Sequence, residues 1–151
     1  MALGDVFILD DAFVEIGGTD LSDAVKQCRL HVEHRRVETP HTFGKSGAVG
    51  AVSEKYTWSL DLDFVTDAFG AGTVDAVITA LMPSPLGAST TQGKAAVEIR
   101  PDSAAVGATN PKYTGNVLID QWDPLGGGTV GEIVTQTRTF MGTGDLTRAV
   151  A

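Results

Sequence analysis

Cysteine is almost missing from this chain. Cys28 is the single one among 151 residues, so no disulfide can form within it. A fold held by packing is expected, made in a reducing compartment. Long apolar runs are missing too. No stretch approaches the roughly 18 residues that a membrane-spanning helix needs. Met1-Ala2-Leu3-Gly4-Asp5 lacks the basic start of a signal peptide, so neither a secretory leader nor a membrane partner is expected. Positive charge is scarce: 11 Lys and Arg stand against 19 Asp and Glu, a net charge of -8. Binding nucleic acid by phosphate neutralisation needs clustered Lys and Arg, which argues against it here. A surface to which DNA does not stick remains compatible. Tyr and Trp number two each, poor material for the aromatic platform of a carbohydrate-binding module. Glycine is what the chain has in excess, with 18 residues grouped between strand-like runs. That favours a turn-rich β protein. A length of 151 residues suits a single domain, 1–151, with room for a real core.

The clearest pattern is Lys55 to Phe64. Tyr56, Trp58, Leu60, Leu62 and Phe64 alternate with Thr57, Ser59, Asp61 and Asp63. Successive strand side chains point to opposite faces, so this is one long strand with a dry face and a wet one. At roughly 3.3 Å per residue it spans about 33 Å. A second long strand is expected over Val25 to Val37. There Cys28, Leu30 and Val32 share one face, and Arg29, His31, Glu33 and Arg35 the other.

The remaining elements are shorter. Residues 1–11 read as an N-terminal arm with one apolar run, Val6-Phe7-Ile8-Leu9. The arm docks on a neighbouring copy or forms a terminal strand. Ala12 to Ile16 is a strand, and Gly17-Gly18-Thr19-Asp20 a turn. Residues 38–53 form a long loop between the second and third strands. Loops of that length are usually functional or mobile; Pro40, Phe43, Lys45, Val49 and Val52 are its candidate inter-subunit residues. Thr73 can cap a helix running to Met82, with Val74, Val77, Ile78 and Leu81 on one face. Pro83 and Pro85 stop it. Strands are expected at Lys94 to Arg100, Lys112 to Trp122 and Val130 to Gly142, and residues 145–151 as a short C-terminal tail. The sum is six or seven strands and one helix without βαβ order. The expected class is mainly β: a sandwich or barrel with one flanking helix whose apolar face covers the dry face of Tyr56 to Phe64.

Catalytic and metal chemistry find little support. Cys28 and His34 share a strand face, but His31 points away and His41 lies in a loop, so four converging zinc ligands are not expected. A calcium loop starting at Asp61 needs glycine at its sixth position and glutamate at its twelfth; Thr66 and Gly72 stand there. Gly70-Ala71-Gly72 lacks the third glycine of a dinucleotide fingerprint, with Asp75 in its place. Gly44-Lys45-Ser46 lacks the upstream glycine of a phosphate loop, with Thr39 in its place. No Gly-x-Ser-x-Gly elbow occurs. The expectation is a protein that is not an enzyme and has no cofactor, catalytic residue or metal site.

Several stretches, in order, resemble the major tail protein, or tail tube protein, of long-tailed bacteriophages. They are Asp11-Ala12-Phe13-Val14-Glu15-Ile16-Gly17-Gly18-Thr19-Asp20-Leu21-Ser22, the strand from Val32-Glu33 to Val37-Glu38-Thr39-Pro40, and Trp58-Ser59-Leu60-Asp61-Leu62 with Phe69 and the helix. Arg100-Pro101 and Asn110-Pro111-Lys112-Tyr113-Thr114-Gly115 complete the set. The resemblance covers nearly the whole chain and extends to contractile-tail tubes and type VI secretion tubes. It implies a sandwich-like subunit forming hexameric rings that stack head to tail into a hollow tube. DNA passes through that tube without specific binding. The implied partners are further copies of the chain, a tape measure protein, a tail terminator and tail tip proteins. The implied location is the virion tail, assembled in the bacterial cytoplasm. On this basis Thr57, Ser59, Asp61 and Asp63 are the expected lumen-facing residues. Arg29, Arg35 and Arg138 either face the lumen as well or pair acids between subunits. The alternatives are another tail or head-tail virion component, and a non-enzymatic β-sandwich binding module.

Overall fold

Alternating apolar residues and glycine-rich turns produce long antiparallel strands. A computed structural model of the protein describes residues 11–38, 51–66, 72–124 and 131–151. The described elements are β1 (Phe13–Ile16), β2 (Thr19–Asp20), β3 (Val25–Glu38), β4 (Ala51–Val65), α1 (Val74–Leu81), β5 (Lys94–Arg100), β6 (Lys112–Leu118) and β7 (Thr135–Ala149). A 3-10 turn at Ser22–Ala24 separates β2 from β3. Every ladder is antiparallel, and the spatial order is β2-β1-β5-β6-β7-β4-β3. Among the described residues the fold is mainly β with one α-helix, as the pattern predicts. Among the described residues no helix is long and apolar enough to cross a membrane.

Strand β7 turns one sheet into two layers. Its first half, Thr135 to Met141, pairs with β4; from Gly142 onward it pairs with β6. Between the pairs Thr114–Thr147 and Asn116–Thr143, β6 contributes Gly115 alone while β7 contributes Gly144, Asp145 and Leu146. The extra residues make a bulge, which bends a strand and increases its twist. Gly144 sits at φ 76°, a left-handed conformation that glycine adopts without steric cost.

Trp58 fills the corner that this bend creates. A Cβ added to Gly142 would lie 2.1 Å from Trp58 Cε2, and one added to Gly115 would lie 2.6 Å from Cζ2. The indole therefore rests on bare backbone of both strands. Its Nε1 donates to the Gly144 carbonyl at 3.0 Å. The Tyr56 hydroxyl accepts from the Leu146 amide at 3.1 Å and donates to Asp145 Oδ1 at 3.4 Å. Two aromatic residues of β4 thus hold the bulge of β7.

The core lies between the layers. Trp58, Leu60, Leu62 and Phe64 are buried together with Phe140, Val97 and Val117. Helix α1 starts where Thr73 accepts a hydrogen bond from the Ala76 amide at 3.4 Å. It buries Val74 and Ile78, and Val77 and Leu81 pack against the same cluster as the dry face of β4. Trp122 links the two: its ring meets Phe64 edge-on at 5.6 Å, and its Nε1 donates to Asp75 Oδ1 at 2.9 Å. Leu81 covers the β1–β2 turn, where a Cβ on Gly17 would come within 2.9 Å of its methyl carbons.

Several boundaries differ from expectation. β4 starts at Ala51 rather than Lys55, because Ala51, Val52 and Ser53 pair with Glu38, Val37 and Arg36 of β3. Val52 is therefore a strand residue and not part of the loop. The connection shrinks to 39–50; Pro40, Phe43, Lys45 and Val49 lie outside the described residues, as do residues 1–10 of the expected arm. Residues 145–149 are not a tail. They belong to β7, where Thr147, Arg148 and Ala149 pair with Thr114, Tyr113 and Lys112. β7 begins at Thr135 and β6 ends at Leu118, both shorter than expected at those ends. Thr19 and Asp20, read as turn, pair with Ile16 and Glu15 as a minimal strand.

Candidate functional site

The long strands β3, β4 and the first half of β7 lie side by side, and antiparallel register sets their side chains in rows. Arg29, Asp61 and Thr139 form one row; Gln27, Asp63 and Thr137 the next; His31, Ser59 and Met141 a third. Thr57 stands opposite Glu33. The two-residue strand period puts all of these on the face opposite Trp58, Leu60 and Leu62. The structure thus brings Thr57, Ser59, Asp61 and Asp63 onto one face, as expected. Thr57 is exposed and the other three are half-buried.

Hydrogen bonds run across the strands. Thr139 Oγ1 donates to Asp61 Oδ1 at 2.7 Å, and Thr137 Oγ1 to Asp63 Oδ1 at 3.3 Å. Along β3, His31 Nε2 stands 3.7 Å from Glu33 Oε2. The threonines orient the carboxylates, and Arg29 occupies the strand position across from Asp61. The face is polar and mixed in sign rather than purely acidic. Arg35 falls at the register irregularity between His34 and Arg36. Arg138 stands across from Leu62, on the other face; it pairs with Asp123, and its Nε donates to Gln136 Oε1 at 3.2 Å. The site is a surface without a catalytic constellation. Among the described residues no three His, Cys, Asp or Glu side chains gather as a metal site.

A second surface lies where no ladder joins the two layers among the described residues. β7 joins them on one side, but on the other β3 is the sheet edge and makes no ladder with β1 among the described residues. Cys28, Leu30 and Val32 belong to the dry face of β3, yet Val32 remains 43% exposed. Opposite them stand Ile99, Tyr113 and Leu146, and together they bound an open apolar trough of about 400 Å3. Burial pushes the Cys28 thiol from 9.0 up to about 11, with the Asp61 carboxylate adding to the shift.

The trough and the Trp58 corner escaped the sequence reading. Each depends on residues far apart in the chain, and only the pairing of β7 with both β4 and β6 brings them together. No protein-family model matches the chain, and no curated protein matches it in sequence.

Proposed function

We propose that this chain is a structural, non-catalytic protein of a phage tail tube, forming hexameric rings that stack around a channel for DNA. The observation that carries the reading is the three-strand face. Strand β4 buries Trp58, Leu60, Leu62 and Phe64 and the first half of β7 buries Phe140, while their other face presents hydroxyls and carboxylates beside Arg29 and His31 of β3. A sheet of this kind can line a water-filled channel. Its outer strand, β3, pairs with β4 alone among the described strands, an edge that a neighbouring sheet could join. Six copies at -8 carry roughly -48 per ring under closed cyclic symmetry, so passing phosphates would be repelled overall. Asp61, Asp63, Thr57 and Ser59 would face that channel. The remaining partners, and the virion as location, follow from the resemblance.

Negative-stain electron microscopy of the concentrated protein tests the proposal. Rings or tubes are expected. A protein that stays monomeric under all conditions, and contributes no tube density to a virion, would refute it. Rings that never stack favour a terminator or connector role instead. Asp61 and Asp63 on the outer surface of an assembled tube would refute the channel assignment alone.

A further inference from the structure

We draw no further inference here: the strongest candidate, the apolar trough that Cys28, Leu30 and Val32 of β3 bound together with Ile99, Tyr113 and Leu146, carries nothing, because nothing among the described residues shows what covers it.

Discussion

Replacing Gly142 with alanine should destabilise the fold sharply although it adds a single methyl group. That methyl would sit 2.1 Å from Trp58 Cε2, 2.2 Å from Cδ2 and 2.5 Å from Nε1. Trp58 is 2% exposed and cannot swing into solvent without leaving the core. Overpacking of this kind costs about 1–3 kcal/mol. Displacing the ring also breaks the Nε1 hydrogen bond to Gly144 and strands a buried donor, about 1 kcal/mol or more. The expected total is about 3 kcal/mol, set against a typical domain stability of about 5–15 kcal/mol. For a chain of this size that lowers the melting temperature by about 6–12 °C. Urea and thermal unfolding followed by circular dichroism measure it. Gly107→Ala is the control, since nothing lies within 4 Å of the added Cβ, and it should change stability by less than about 0.5 kcal/mol. Trp58→Leu should cost less in the Gly142→Ala background than in the native chain, because the clash is already relieved. A Gly142→Ala protein as stable as the Gly107→Ala control would refute the account of the corner.

Three further outcomes follow from the hydrogen bonds and the thiol. Thr139→Val keeps the side-chain volume but removes the donor to Asp61; it should cost about 0.5–1.5 kcal/mol by urea unfolding and little once Asp61→Ala has removed the acceptor. Asn110→Ala should cost about 1–3 kcal/mol and raise hydrogen exchange across 102–110, because the buried amide bonds the Asp102 amide and the carbonyls of Asp102, Ala104 and Ala105. Cys28 should alkylate slowly at pH 8 in the native chain, with a rate that keeps rising toward pH 11, whereas in denaturant the rise should level off near pH 9. The folded pKa is raised, so the associated stability is fully present below pH 9 and is lost as pH climbs through about 11. A native alkylation profile that levels off near pH 9 would contradict the burial of that thiol.

The legible parts of this fold were those where local pattern and tertiary demand agree. In β4 the alternation names the buried set, Trp58, Leu60, Leu62 and Phe64, because one face meets a core and the other meets water. Tyr56 continues the apolar register yet stays 36% exposed, its hydroxyl bonded to Asp145 and the Leu146 amide. The helix was readable from its cap and period. The stretch Thr143-Gly144-Asp145, beyond the expected strand end at Gly142, is not readable as strand: a glycine and an aspartate disfavour it, and pairing with β6 overrides that preference. The start of β4 is hidden for a similar reason, since Ala51-Val52-Ser53 becomes strand only because β3 continues opposite it. On the wet face, the acids and the threonines were each visible as alternations. Their juxtaposition, Asp61 with Thr139 and Asp63 with Thr137, was not, because 78 and 74 residues separate the partners.

The place of β7 in the sheet has a consequence for how the chain is made. It comes last among the sheet's strands in chain order, yet it lies between β6 and β4 in space. During synthesis, at about 5–20 residues per second, both of those strands leave the ribosome with their inner edges bare. Until β7 arrives no ladder joins the β1-β5-β6 strands to β3 and β4, and Trp58 lacks the Gly142 wall of its corner. Folding must therefore wait for the far end of the sheet and then proceed through contacts distant in sequence, which are slow to form. A nascent chain cut before Thr135 holds two exposed sheet edges, and its expected fate is aggregation or capture by a chaperone rather than partial folding.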